Sequence, residues 1–186
     1  MNFKIVFIVN NGKTLSEFFK VKKSYFIKNS KRFLVLFLYK KKKSKVRFAK
    51  ELDKLYLNYK NTDDLNEKLY QNFKYQKKIF FINFSINIFT NNFLNKFNKK
   101  IYNFHTSFLP EHPGLNSFDK AFKSDLKSGS TVFLIEKNKK IDCGKIILKK
   151  RYFINKQISK KRNWEKIVNI QCEHLNILIN KLIKIK

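Results

Sequence analysis

Apolar residues recur along this chain in short unbroken blocks, each followed by a stretch whose apolar positions fall three or four apart. Lys4–Val9 is the first block, a continuous apolar run of the kind found in strands buried on both faces. Asn10–Thr14 then reads as a turn in which Gly12 is free to take positive φ. Leu15–Val21 has helical spacing, with Leu15, Phe18 and Phe19 on one face. Phe33–Tyr39 predicts a second strand, and the basic run Lys40–Lys45 a solvated loop or helix edge. Phe48, Leu52, Leu55 and Tyr56 predict a helix over Val46–Tyr59. Thr62, followed by Asp63 and Asp64, predicts the cap and acidic first turn of a helix reaching about Tyr75. Lys78–Ile82 is the third core strand, Ser85–Phe89 a loop, Asn91–Phe97 a short helix, and Ile101–Phe104 another strand.

The same grammar continues to the end. Ser117–Leu126 predicts a helix with Phe118, Ala121 and Phe122 inward. Thr131–Ile135 predicts a strand, Asn138–Asp142 a polar turn, and Gly144–Leu148 a strand with room to run on through Tyr152 and Phe153. From Asn163 a long helix carries Trp164, Ile167, Val168, Leu175, Leu178, Ile179 and Leu182. Alternating strands and helices predict an α/β protein, a Rossmann-like mostly parallel sheet with helices on both faces. No repeat, linker or break divides it, so one domain over residues 1–186 is expected.

Composition narrows the class. Hydrophobic residues make up 43% of the 186, which excludes a disordered tail. The longest apolar run, Phe33–Tyr39, is too short to span a bilayer. The amino terminus lacks the layout of a signal peptide, so a cytoplasmic protein with no membrane partner is expected. Cys143 and Cys172 have no metal-binding spacing and read as free thiols in a reducing compartment, with no metal expected. Lys and Arg number 42 against 13 Asp and Glu, a formal net charge of +29. That excess points to nucleic acid or an anionic surface when taken alone. Yet lysine is spread along the whole chain, and asparagine, isoleucine and phenylalanine are inflated with it while glycine (4) and proline (2) are scarce. The two sets match AT-rich and GC-rich codons. A base bias explains the whole pattern, whereas nucleic-acid binding explains only the lysine. No specific nucleic-acid partner is expected; the charge raises encounter rates with anionic substrates.

One stretch breaks the lysine-rich texture: Asn103-Phe-His-Thr-Ser-Phe-Leu-Pro-Glu-His-Pro-Gly114. On a strand, Asn103 and His105 share a face. Pro110, Pro113 and Gly114 predict a shaped loop after them. Asp142 lies in Ile141-Asp-Cys-Gly144, a turn able to return to the same sheet end. An amide, an imidazole and a carboxylate suit attack on a carbonyl: the amide stabilises the oxyanion, the imidazole moves a proton, and the carboxylate orients the ring. No serine or cysteine has the nucleophile-elbow pattern, so the nucleophile is expected from a substrate. The turn at Gly12, with Lys13 beside it, suits an anion at a helix start. The bland readings are a loop-shaping role for His112, packing for His174 and Trp164, and a small filler at Cys143.

At these residues the chain resembles the folate-dependent formyltransferase family. Asn103-Phe-His-Thr-Ser-Phe-Leu-Pro110 resembles its Asn-x-His-x-Ser-Leu-Leu-Pro. Pro113-Gly-Leu115, Ser128-Gly-Ser-Thr-Val-Phe133, Ile141-Asp-Cys-Gly-Lys-Ile-Ile-Leu148 and Gln171-Cys-Glu-His174 resemble further stretches of the family. With Asn11-Gly12, followed by Leu15, which resembles the family's substrate-phosphate loop, all four glycines and both prolines fall on such positions. The resemblance implies transfer of a formyl group from 10-formyltetrahydrofolate, a co-substrate, to the amine of glycinamide ribonucleotide in purine (IMP) biosynthesis. It implies catalytic roles for Asn103, His105 and Asp142. Gly12, Lys13 and Thr14 would hold the ribonucleotide phosphate, and Glu173 its ribose. Ile86, Asn87, Ile88, Phe89, Asn103, Lys140 and Ile141 would line the folate site. The expected assembly is a monomer or weak homodimer. Two sister activities, formylation of methionyl-tRNA and hydrolysis of formyltetrahydrofolate, and a basic nucleic-acid-binding module are the alternatives. The chain departs from the family pattern at Ile86-Asn87, where Met-Arg is common, and in its glycine-poor first loop.

Overall fold

A computed structural model describes residues 4–10, 13–38, 54, 58–62, 65–86, 88–124, 126–137 and 139–184. It separates into two compact units, Met1–Ile101 and Tyr102–Lys186.

In the first unit, strand β1 (Lys4–Val9) pairs in parallel with β2 (Phe33–Leu38) on one side and with β4 (Ile79–Phe84) on the other; β3 (Asn58–Thr62) adds to the far side of β2, again in parallel. Phe7 stands opposite both Val35 and Ile82 in register. Parallel strands need crossovers, and helices α1 (Lys13–Val21), α2 (Lys23–Lys28) and α3 (Leu65–Phe73) lie between them in the chain, with α4 (Asn91–Lys96) following β4. Ile5, Val6, Phe7, Ile8 and Val9 are all buried, which is why β1 is an unbroken apolar run. Leu15, Phe18 and Phe19 of α1 are buried as their spacing predicts. Aromatic rings pack among the aliphatic side chains of this interior. Phe19 and Phe26 meet edge to face at 4.3 Å, and Phe7 stacks on Phe33 at 5.9 Å. Phe81 meets Phe93 and Phe97 at 5.2 and 4.8 Å.

The second unit is antiparallel. Strand β5 (Ile101–His105), whose first residue closes the first unit, continues at Tyr102 and pairs with β6 (Lys127–Leu134), which forms a hairpin with β7 (Lys145–Phe153). Between β5 and β6 come the Pro-Gly loop and helix α5 (Ser117–Lys123); after β7 comes α6 (Lys160–Lys184). Phe118, Ala121, Ile154 and Ile167 form a core cluster, against which Trp164 packs, its ring 5.1 Å from Phe118. The hairpin closes tightly at Gly144: a Cβ there would lie 1.7 Å from the Leu134 carbonyl oxygen, so only glycine fits.

Several expectations change. A helix over Val46–Tyr59 is overturned at its end, because Asn58–Thr62 is a strand; the rest of that stretch, with Lys40–Lys45, falls outside the described residues apart from Lys54. Asn58–Thr62 has no apolar run, having only β2 as its neighbour, so periodicity could not find it. Thr62 is the last residue of this strand, and Asp63 and Asp64 lie outside the described residues. Helix α2 was hidden because its six residues bury only Phe26. Strand β6 begins at Lys127, four residues earlier than expected, because Ser128 and Ser130 are buried strand residues whose hydroxyls have partners. The parallel pattern holds in the first unit, while β6 and β7 run antiparallel to their neighbours. No helix among the described residues is long and apolar enough to cross a membrane.

Candidate active site

Strand β5 carries Asn103 and His105 to its carboxyl end, both buried, opposite Phe133 and Thr131 of β6. The chain then enters a loop held by three residues with positive φ: His112 (51°), Gly114 (79°) and Asn116 (56°). A left-handed conformation costs a residue with a side chain roughly 1–2 kcal/mol, so this shape persists only under external restraint. Side chains of β6, of the loop itself and of the helix start that follows it supply it. Thr131 Oγ1 donates to the Ser107 carbonyl at 2.7 Å and accepts from the Leu109 N–H at 3.0 Å. Ser107 Oγ donates to the Glu111 carbonyl at 2.7 Å and also lies 3.2 Å from that of His112. Thr106 and Ser117 exchange a hydroxyl contact at 2.7 Å, and Ser128 Oγ donates to the Thr106 carbonyl.

The result is a ring bonded at one nitrogen and faced by a carboxylate at the other. His105 Nε2 lies 3.1 Å from the His112 carbonyl oxygen. A carbonyl only accepts, so Nε2 carries the proton. On the other side, Nδ1 lies 3.5 Å from Asp142 Oδ2. That carboxylate, buried and itself in a left-handed conformation (φ 60°), accepts a 2.7 Å hydrogen bond from the Gly114 N–H. The loop thus touches both sides of the imidazole, through the carbonyl of His112 and through the N–H that holds Asp142. Asn103, His105 and Asp142 come from one unit, and the structure brings His105 and Asp142 together as expected.

Other expected residues are placed as follows. Glu173, on α6, is exposed and pairs with Lys150 at 2.7 Å. Its neighbour His174 is buried, with Nδ1 3.1 Å from Ser130 Oγ. Burial pushes its pKa below 6.5; the Glu173 charge opposes that shift and the Lys150 charge adds to it. Lys140 and Ile141 are exposed beside Asp142. In the first unit, Lys13 opens α1 and Thr14 is buried, while Gly12 lies outside the described residues. Ile86 and Ile88 are exposed, Phe89 is buried against Phe93 with rings stacked at 5.2 Å, and Asn87 lies outside the described residues. Among the described residues no group of three or more His, Cys, Asp or Glu is arranged to hold a metal ion.

Sequence reading missed the restraints. Thr131 and Ser107 look like ordinary strand and loop residues, and nothing in their spacing marks them. Glu111 and Arg151, forty positions apart, join in a two-point ion pair at 2.8 and 2.9 Å. Asn10, at the end of β1, has a buried side-chain oxygen with no hydrogen-bond partner among the described residues. The carboxyl end of a β1 strand is where open α/β sheets take ligands.

Comparison with known proteins follows the same lines. Residues 5–179 match the family described as formyl transferase. A phosphoribosylglycinamide formyltransferase of Haemophilus influenzae is 39% identical over 62 residues, which are 33% of this chain and 28% of that enzyme. The crystal structure of a phosphoribosylglycinamide formyltransferase from Bacillus halodurans superposes with a TM-score of 0.77 at 17% identity, covering 98% of this chain and 96% of that one. WlaRD, a sugar 3N-formyl transferase solved in the presence of dTDP and 5-N-formyl-THF, gives a TM-score of 0.72 at 17% identity, covering 98% of this chain and 64% of that one. At these identities the structural likenesses establish the fold.

Proposed function

Because the chain belongs to the formyl transferase family, we propose that it moves a formyl group from 10-formyltetrahydrofolate to the amine of glycinamide ribonucleotide. The observation that carries this reading is the grip on His105, with Asp142 on one ring nitrogen and the His112 carbonyl on the other. The amine nitrogen bonds to the formyl carbon, the bond from that carbon to the folate nitrogen breaks, and the proton lost by the amine passes to the folate nitrogen. No water or oxidant enters the balance.

Each residue has a part in that sequence. The Nε2–H of His105 rests on a neutral amide carbonyl. A developing oxyanion is a stronger acceptor, since hydrogen bonds to charged oxygens are about twice as strong. The proton therefore has reason to turn from His112 to the substrate as negative charge builds. The Asp142 carboxylate faces the opposite nitrogen and stabilises the imidazolium formed when the ring takes a second proton. Asn103 supplies a second donor toward the oxyanion. Lys13 and Thr14 at the head of α1, with Gly12, are the phosphate-binding proposal, resting on the positive end of a nine-residue helix with no acidic residue in its first turn. Lys140 and Ile141, exposed next to Asp142, are the folate-contacting proposal in the second unit, and Ile86–Phe89 the one in the first. Glu173 is proposed for the ribose, which requires it to leave Lys150.

Steady-state assay with both substrates tests the reading. Formyl transfer should fall about 10²- to 10⁴-fold in His105→Ala. Activity equal to that variant, or formate released without any amine acceptor, would overturn it. Transfer to an amino sugar in preference to the ribonucleotide would move the chain toward the WlaRD type.

A further inference from the structure

Among 42 basic side chains, arginine stands only at Arg32, Arg47, Arg151 and Arg162. Arg151 occupies a place that lysine cannot fill. Its guanidinium donates through two nitrogens to both oxygens of Glu111, at 2.9 and 2.8 Å. The same group lies 4.0 Å from the centre of the Phe108 ring, with Lys149 Nζ 4.4 Å from that centre. One planar cation on β7 therefore holds two residues of the site loop, Phe108 and Glu111. A lysine ammonium is a point charge that neither forks nor stacks.

We propose, building on the formyl-transfer reading, that Arg151 and Glu111 form a positioning clamp that sets the orientation of His105. The path is short. Glu111 fixes the chain immediately before His112, whose left-handed backbone aims its carbonyl at Nε2 of His105. Two residues further, the Gly114 N–H holds Asp142 Oδ2, the oxygen that faces Nδ1. Residues 111–114 thus determine the partners of both ring nitrogens. Ser107 Oγ ties the Glu111 carbonyl from inside the loop, and Arg151 ties its carboxylate from outside. Without the outer tie, 111–114 is left to the Ser107 hydroxyl on the Glu111 and His112 carbonyls, the Glu111 N–H on the Phe108 carbonyl and the exposed Lys120 ammonium on the Pro113 carbonyl, and the two partners of the ring lose part of their common geometry. Arg151 touches no reacting atom in this account. It acts through the loop.

The test separates orientation from binding and from folding. Arg151→Lys and Glu111→Gln should each lower kcat about fivefold, the scale of one well-formed surface ion pair, and leave KM for both substrates within about twofold. The double variant should lose no more than either single one, because the two residues act as a unit. Added guanidinium should restore part of the kcat of Arg151→Ala, whereas added methylammonium should not. Lys156→Met, at an exposed lysine, is the control for bulk charge and should leave kcat unchanged. Amide hydrogen exchange gives a readout independent of turnover: the segment 106–116 should exchange faster in Arg151→Lys, with helix α6 unaffected. An unchanged kcat and unchanged exchange in Arg151→Lys would overturn the clamp. An inactive wild-type protein whose segment 106–116 still loosens in Arg151→Lys would instead remove the formyl-transfer reading and leave the clamp standing.

Discussion

The two units fill their interiors by different rules. In Met1–Ile101 the buried polar side chains among the described residues are Thr14, Ser16 and Asn83, and the space is shared by phenylalanine and aliphatic side chains. In Tyr102–Lys186 the buried polar set among the described residues is Asn103, His105, Ser107, Ser117, Ser128, Ser130, Thr131, Asn163, Gln171 and His174, joined by the Asp142 side chain. Burial of apolar surface has no direction and scales with area, so ring volume can be met by many arrangements. Buried hydrogen bonds have direction, and each lost partner leaves a desolvated group behind. A composition tilted toward phenylalanine and lysine can therefore supply the first interior wholesale. The second must be specified atom by atom.

Variants can break that contrast. The largest effect is expected at Asp142→Asn. The variant keeps an acceptor for the Gly114 N–H but removes the charge facing His105, so kcat should fall about a hundredfold with little change in thermal midpoint. A kcat within threefold of wild type would show that the carboxylate only shapes the loop. Next comes Thr131→Val, which is near in volume. It leaves the Ser107 carbonyl and the Leu109 N–H without their partner, and urea unfolding should register a loss of about 1–3 kcal/mol. In the aromatic unit, Phe97→Leu should cost about 1 kcal/mol by the same measurement and leave kcat untouched at a temperature where the protein is folded. If Phe97→Leu cost more than Thr131→Val, the proposed difference between the interiors would be wrong.

The smallest effect concerns His174. Burial lowers its folded pKa from 6.5, so below that pH the unfolded chain takes up a proton that the folded one resists. Stability should therefore decline as pH drops below about 6.5, with the penalty complete once pH passes the lower folded value. Above that window the term vanishes. His174→Gln keeps an acceptor for Ser130 and should flatten this part of the profile. A thermal midpoint with the same dependence between pH 5 and 8 in both proteins would assign it to other groups.

The contrast also explains what was legible in the sequence. Elements of the first unit that are apolar on a regular period, β1, β2, β4 and α1, are where their spacing put them. Asn58–Thr62 was missed because polar residues on an outer strand leave no period to read. In the second unit, Asn103, His105 and Asp142 are proposed as the site through residue type and the family resemblance. Spacing alone did not bring Asp142 to His105; a hairpin and a left-handed residue did. Thr131, Ser107, Glu111 and Arg151 stayed hidden, because their importance lies in partners 4 to 40 positions distant. No local pattern encodes a distant partner.

The fit of Gly144 beneath the Leu134 carbonyl has a practical corollary for anyone building chimaeras from this chain. The turn that bears Asp142 cannot be exchanged by itself, since its depth depends on a neighbouring strand that must pass without obstruction. Residues 127 to 153 have to be moved as one cassette. A graft that carried the acidic turn onto a host with any bulkier residue at that point would lift the carboxylate away from its imidazole, however faithfully the rest had been copied.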